Sequence, residues 1–175
     1  MRRRALLALL ATAASGCALS AEGELADVEV TRHGVLIPGV PLEARVGDPV
    51  VSVPVAFNPR DYLSLDRDAY HSVKVGRVTF TMNVAGGDLS FVRTLRMTIA
   101  GVKTAATPVE ILRYQRDDGG PAIGPILDLP VTPAVEILPA WNDPPCVITL
   151  EVQGELPEDA WTADVAVHLS ATVGL

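Results

Sequence analysis

The feature that most constrains the fold is a strict alternation of residue types near the end of the chain. From Trp161 to Val173 the odd-numbered positions are apolar or small, whereas the even ones include Thr162, Asp164 and His168. A period of two residues puts alternate side chains on opposite faces of an extended chain, so this segment predicts a long strand with one buried face. No window keeps a helical period over three turns, which favours a fold built of sheets.

Shorter segments repeat this pattern between turn signals. Apolar residues alternate with polar ones in the segments 25–31, 40–46, 51–57, 73–84, 89–99 and 146–153, with mixed phase in 108–115. We therefore expect an all-β protein, a single antiparallel β-sandwich of about seven to nine strands, either immunoglobulin-like or jelly-roll-like. An open β-barrel is the second choice. The sequence lacks the Cys…Trp…Cys arrangement of antibody-type domains.

Local signals refine the first half of this prediction. His33-Gly34 is expected to end the first strand, and Pro38 and Pro41 put the segment 40–46 at a sheet edge or leave it loosely paired. The apolar phase changes at Gly76-Arg77, as a β-bulge would produce. Gly86-Gly87-Asp88 predicts a turn that joins the strands on either side of it as a hairpin.

Two regions carry little periodicity. Asn58–Ser72 is the longest polar interruption, and it fits either a helical turn or a long loop. Pro121–Pro145 is rich in proline and leucine, so we expect irregular extended chain there, with one short strand near Val135–Leu138.

The N-terminal segment predicts export. Arg2, Arg3 and Arg4 precede the uncharged, mainly apolar run Ala5–Ala14. Ten residues in a helix span about 15 Å, half of a bilayer's hydrocarbon core, so the run predicts a cleaved signal peptide and not a transmembrane helix.

The end of this leader resembles that of bacterial prolipoproteins. Ala14-Ser15-Gly16-Cys17 has the small residue, the glycine and the cysteine of their pattern, with Ala14 where the family favours leucine. The resemblance implies cleavage before Cys17, a diacylglycerol thioether on that cysteine and an acyl chain on the freed amine. It also implies sorting to the outer membrane, because Ala18 is not the aspartate that retains such proteins in the inner membrane. The alternative is conventional cleavage after Ser20, which would release a soluble secreted domain.

These boundaries divide the chain into three parts: residues 1–17 are signal peptide and lipid-attachment pattern, 18–24 a tether, and 25–175 one β-sandwich domain.

Loss of the three leader arginines leaves 11 basic against 21 acidic residues, a net charge of −10. Such a domain repels nucleic acid and anionic headgroups, so no nucleic-acid partner is expected and the membrane is held through lipid alone.

Few side chains suggest a site. Trp141, between Pro139 and Pro144, is the aromatic residue we expect to be available for binding, whereas Trp161 is in phase with the core. Arg93 falls in the apolar phase of its strand, so it needs a partner, lies at an edge or bulge, or contacts a ligand. Cys146 is expected to be a buried thiol, with a Cys17–Cys146 disulfide as the competing use.

Catalytic and metal-binding patterns are missing from the sequence. The histidines His33, His71 and His168 lie in separate segments, and the acids Asp61, Asp66 and Asp68 lack the glycine and distal glutamate of a calcium loop. We therefore expect no metal and no cofactor apart from the lipid on Cys17. The function predicted is a non-enzymatic structural or binding module of the cell envelope with an envelope protein as partner. The alternative is an envelope hydrolase or accessory enzyme with a site built from loops.

Overall fold

The protein forms eight strands within the residues that its structure, a computed structural model, describes: 22–45, 47–62, 69–84, 87–103, 107–117 and 123–174. The strands are β1 (Glu22–Ile37), β2 (Val50–Phe57), β3 (Tyr70–Met82), β4 (Val92–Gly101), β5 (Val109–Gln115), β6 (Ile126–Glu136), β7 (Cys146–Gly154) and β8 (Trp161–Gly174). One short helix, α1 (Leu138–Trp141), and two 3-10 turns, Leu42–Ala44 and Pro59–Asp61, complete the described elements. No helix among them is long and apolar enough to cross a membrane.

The strand order identifies the sandwich as a jelly roll. One sheet has the order β1-β8-β3-β6 and the other β2-β7-β4-β5, with every pair antiparallel. The pairs β1–β8, β2–β7, β3–β6 and β4–β5 are those of one long hairpin that bends between β4 and β5 and is then rolled into two sheets. The predicted antiparallel β-sandwich is therefore confirmed, and the strand order is jelly-roll-like rather than immunoglobulin-like.

Antiparallel pairing gives the sandwich two ends. At the apical end, as we name it, the odd-numbered strands finish and the even-numbered strands begin; at the basal end β1 begins and β8 finishes. The connections β1–β2, β3–β4, β5–β6 and β7–β8 are therefore apical. The connections β2–β3, β4–β5 and β6–β7 are basal, and α1 lies in the last of these.

The core consists of the apolar phase of each strand. In β8 burial alternates without exception, and the inward residues run from Trp161 to Val173; β7 does the same from Cys146 onward. Burying one Val, Leu or Ile side chain contributes roughly 1.5–3 kcal/mol, so these faces supply most of the stabilisation. Cys146 is a free buried thiol, as expected, and its Sγ donates to the Ala140 carbonyl at 3.0 Å.

Bulges explain the phase changes in the sequence. The register of β3 shifts between Val75 and Arg77 against both of its neighbours, which confirms the bulge predicted at Gly76-Arg77. A second shift, between Arg32 and Val35, falls where β1 was expected to end. That expectation is wrong: Gly34 takes a left-handed φ of +62°, which glycine adopts without steric cost, and the strand continues beyond it.

Two boundaries near the N-terminus differ from the prediction. β1 begins at Glu22, which pairs with Gly174, so residues 22–24 belong to the strand and not to the expected tether. Residues 40–45 do not form the strand expected in 40–46: Pro38 and Pro41 cannot donate ladder hydrogen bonds, and a 3-10 turn closes instead when the Ala44 N–H donates to the Pro41 carbonyl at 2.9 Å.

The predicted β3–β4 hairpin is also wrong. β3 lies in one sheet and β4 in the other, so the connection crosses the apical end between the sheets. In Asn58–Ser72 the chain makes the 3-10 turn Pro59–Asp61 and enters β3 at Tyr70, and residues 63–68 lie outside the described ranges.

The proline-rich region holds more strand than expected. β6 has 11 residues and ends at Glu136, and Leu138 already belongs to α1. Pro130 and Pro133 fit inside β6 because it is an edge strand, so its outer side makes no ladder hydrogen bonds. Pro54 lies likewise in the edge strand β2.

Candidate functional site

Trp141 is a core residue, contrary to its predicted role as an available aromatic. It is 2% exposed, and its ring lies 6.2 Å from that of Phe57 at a tilted angle. The cause is α1, which covers the basal end of the sandwich and turns its apolar side chains inward. A ligand could not stack on this ring without opening that end of the core. Trp161 is buried as predicted, edge-on to Phe80 and Phe91.

Arg93 lies at a bulge and has partners, which are two of the alternatives that the sequence left open. The register of β4 against β7 shifts between Val92 and Thr94, so Val92 is buried while Arg93 points outward. Its guanidinium donates to Asp48 at 3.3 Å and to Glu155 at 3.1 Å. Arg93 thereby ties the start of β4 to the β1–β2 and β7–β8 connections at the apical end.

The other residues singled out in the sequence lie apart. Cys17, Asp66 and Asp68 fall outside the described residues. Within the described ranges, no three His, Cys, Asp or Glu side chains are grouped so that they could hold a metal ion. His168 lies on the outer face of its sheet, 3.4 Å from the Thr79 hydroxyl and 4.0 Å from a Glu29 carboxylate oxygen.

The apical end carries an open groove of about 440 Å³. This volume is in the range of ligand-binding clefts. Val84 is 45% exposed and Ile126 is 54% exposed, so the groove offers apolar side chains to solvent. Its lining comes from the end of β3, the β3–β4 connection and the start of β6: Thr81, Met82, Asn83, Val84, Gly87, Pro125 and Ile126.

Backbone hydrogen bonds hold the two walls of this apical groove together. The Met82 N–H donates to the Pro125 carbonyl at 2.8 Å, and the Gly87 N–H donates to the Val84 carbonyl at 3.0 Å. A Cβ atom on Gly87 would lie 3.0 Å from the Met82 sulfur and 3.1 Å from the Val84 oxygen, so a side chain there would disturb the groove floor. The Met82–Pro125 hydrogen bond therefore joins the end of β3 to the residue before β6.

A cluster of polar groups around the Asp164 carboxylate borders the groove. Asp164 accepts from His33 Nδ1 at 2.7 Å, from the Gly34 N–H at 2.8 Å and from the Asn83 side-chain amide. The hydrogen bond from His33, then those from Asn83 and Gly34, lower the pKa of Asp164 to about 2. Asp164 is therefore ionised at neutral pH. Its negative charge lies next to the groove, because Asn83, which lines the groove, is hydrogen-bonded to it.

The chemistry available to this cluster is limited. A His–Asp pair activates a nucleophile when the other ring nitrogen contacts a hydroxyl, thiol or water. The His33 side chain is 77% exposed, and among the described residues its ring makes a hydrogen bond only with Asp164. Asp164 also holds the Gly34 bulge in place, so the pair has a structural role in β1.

A second concave surface lies between the edge strands β5 and β6. This cleft of about 270 Å³ has Ile111 and Leu112 along one side and Pro130–Val135 along the other. At its rim Glu110 accepts from Arg113 at 2.8 Å and from Arg96 at 2.6 Å, and these contacts, Arg113 foremost, lower the pKa of Glu110 to about 2. Arg96 also donates to Glu151 at 3.1 Å, so two guanidinium groups neutralise two carboxylates and the rim offers less to a charged ligand than the apical end does.

Cys146 is unsuited to nucleophilic chemistry. Burial, with a smaller contribution from Asp143, raises the pKa of this thiol to about 12, so the reactive thiolate is absent at neutral pH.

The sequence reasoning missed the groove, although two signals point to it. Apolar alternation continues from Met82 to Val84, beyond the end of β3, and Ile126-Leu127 are consecutive apolar residues at the start of a strand. Since neighbouring strand residues face opposite ways, one of that pair had to face solvent.

Comparisons with known proteins identify no family. No family model matches the chain, and no curated protein matches it. Among solved structures, a chain of infectious bursal disease virus, Gt strain, has 12% identity and a TM-score of 0.33; the match covers 90% of this chain and 34% of that one. This chain thus spans about a third of the length of that viral chain.

Two further likenesses cover most of both chains. A Cocksfoot mottle virus chain has 9% identity and a TM-score of 0.34, covering 97% of this chain and 95% of that one. A chain described as CBM4 has 20% identity and a TM-score of 0.29, covering 78% and 93%. The jelly-roll assignment rests on strand order and not on these likenesses.

Proposed function

We propose that this chain is a lipid-anchored protein of the bacterial cell envelope whose β-sandwich is a non-enzymatic binding module. The observation that carries the proposal is Cys17, which closes an apolar leader with the lipid-attachment pattern and stands five residues before β1. Several acyl chains at one cysteine give stable anchoring, because each buried methylene contributes about 0.8 kcal/mol. The outer membrane is the site proposed, since Ala18 follows the cysteine.

Three titratable groups of the described residues are unsuited to acid–base or nucleophilic catalysis. General acids and bases work best with a pKa near the operating pH, whereas Asp164 and Glu110 each have a pKa of about 2. Cys146 is buried and protonated. The exposed apolar groove at the apical end is instead a feature typical of binding surfaces.

Fractionation of the host cell tests the anchor. The unaltered protein should sediment with membranes, resist extraction by high salt and be released by detergent. Cys17→Ala should move the protein into the soluble fraction. Cys146→Ala is the matched control, since it removes the other cysteine and should leave the protein on the membrane. If the Cys17→Ala protein sediments as the unaltered one does, the anchor proposal is wrong.

A further inference from the structure

We propose that the apical end docks a polypeptide that presents apolar side chains flanked by lysine or arginine. This inference names the partner of the binding module and rests on that proposed function. It is carried by two properties of the same end of the sandwich, its exposed apolar side chains and its charge.

Exposed apolar side chains are concentrated at the apical end. Six large hydrophobic residues of the described chain are exposed, and five of them lie where the odd strands finish and the even strands begin: Leu36, Leu42, Val50, Val84 and Ile126. The sixth, Val102, is basal. Exposed apolar residues scattered singly need no explanation, but two of these five line the same groove, and an exposed apolar patch marks an interaction site.

Three of these residues lie at the apical end of one sheet. Val84 and Ile126 line the apical groove. Leu36 is the registered partner of Thr162 in β8, and the Thr162 carbonyl accepts from the Asn83 N–H at 2.9 Å. Leu36 therefore lies at the same end of this sheet as the groove, with the polar residues Asn83 and Thr162 between them.

The same end is acidic. The described parts of the four apical connections hold seven carboxylates against two guanidinium groups, a net charge of −5: Glu43, Asp48, Asp88, Asp117, Glu155, Glu158 and Asp159 against Arg45 and Arg116. The described parts of the basal connections are balanced, with Arg60 and Lys103 against Asp61 and Asp143. Two charged side chains near the strand ends cancel each other: Asp164 adds a negative charge beside the groove, and Arg93, which donates to Asp48 and Glu155, adds a positive one.

Charge selects among the occupants that an apolar groove could take. A second copy docked by the same end would bring two surfaces of −5 together, and an anionic lipid surface would also be repelled. A cationic polypeptide is attracted to the rim, and its apolar side chains can be buried in the groove. Complementary charge of this kind raises the association rate and discriminates against acidic partners.

The anchor would leave this end free. Cys17 precedes the basal start of β1, and the 16 residues of β1 at about 3.3 Å each span about 50 Å to the apical end. The docking surface would therefore face away from the membrane that holds Cys17.

Binding of synthetic peptides to the purified full chain tests the proposal, with the chain dissolved in a neutral detergent so that it stays in solution whether or not Cys17 carries lipid. The probes are three dye-labelled ten-residue peptides that alternate leucine with lysine, leucine with glutamate and serine with lysine, measured by fluorescence anisotropy with the signal in detergent alone subtracted. We expect the Leu/Lys peptide to bind at least tenfold more tightly than either other peptide. Ile126→Ser should weaken that binding at least fivefold, and Val102→Ser, which truncates a basal side chain of equal 54% exposure, by less than twofold.

Every other pattern overturns the proposal. If the Ser/Lys peptide binds as tightly as the Leu/Lys peptide, binding is non-specific charge attraction. If the Leu/Glu peptide binds as tightly as the Leu/Lys peptide, charge does not select the partner. Equal effects of Ile126→Ser and Val102→Ser would place binding elsewhere, as would no binding at all. Light scattering that shows a dimer lost on Ile126→Ser would make a second copy the occupant. None of these results depends on lipid at Cys17, so the anchor can fail while the docking surface stands, and the reverse.

Discussion

Replacing Trp141 with alanine should destabilise the fold strongly, because the structure puts this side chain in the core. Trp141 is 2% exposed. A tryptophan side chain that buries about 200 Å², at about 25 cal/mol/Å², contributes at most about 5 kcal/mol to the free energy of unfolding. The free energy lost in the variant also includes the contact of the ring with Phe57. Large-to-small changes of buried aromatics cost about 3–5 kcal/mol, which for a domain of about 150 residues lowers Tm by about 6–20 °C.

Urea unfolding followed by far-UV circular dichroism measures this loss. Trp141→Phe keeps an aromatic ring against Phe57 and should cost clearly less than Trp141→Ala. Ile126→Ser alters a side chain that is 54% exposed and should change the free energy of unfolding by about 0.5 kcal/mol or less. A change below about 1 kcal/mol for Trp141→Ala would refute the assignment of this ring to the core.

Three further predictions concern the Asp164 carboxylate, the β1 bulge and the free thiol. The fall in the pKa of Asp164 from an ordinary 3.8 to about 2 corresponds to about 2.5 kcal/mol, which solvent screening at this 29%-exposed side chain reduces to about 1 kcal/mol. A lowered carboxylate pKa stabilises the fold above pH 3.8, and this stabilisation is lost as the pH falls toward 2. In Asp164→Asn the free energy of unfolding, measured as a function of pH, should therefore fall less steeply over that range. Gly34→Ala should cost about 1 kcal/mol in urea unfolding, because φ is +62° and no atom contacts the new Cβ; an unchanged midpoint would contradict the left-handed bulge. Cys146 should resist a thiol reagent at pH 8 in the native protein and react once urea unfolds it, and rapid native labelling would contradict its burial.

The sequence predicts the strands whose two faces differ. β7 and β8 alternate cleanly because each buries one face only, and the same rule locates the β3 bulge, since an extra residue at Gly76 reverses the phase. The setting of Arg93 was also predictable, because an arginine in the apolar phase of a strand requires a bulge, an edge or a partner.

Pairing between distant strands could not be predicted in this way. The glycines before β4 fit a hairpin as well as a crossover, and only the long-range partners β7 and β8 put β3 and β4 in different sheets. The prolines of β6 argue against a long strand unless that strand lies at a sheet edge. Its edge position depends on the order of strands in the whole sheet, which local sequence does not reveal. Alternation in 40–46 was overridden by Pro38 and Pro41.

The candidate site was less predictable than the fold. Trp141 lies between prolines, as an exposed loop residue would, yet α1 folds it inward. The apical groove depends on the approach of the β3–β4 connection to the start of β6, and local sequence does not encode that approach. Its charge could have been noticed, since the apical connections are rich in Asp and Glu.

The central claim is that lipid on Cys17 fixes this binding module to its membrane, and mass spectrometry of the natural protein's amino terminus tests it most directly. The account predicts an N-terminal peptide that begins at Cys17 and carries the mass of a diacylglycerol group with an acyl chain on the amine. An unmodified N-terminal peptide beginning at Ala21 would contradict it.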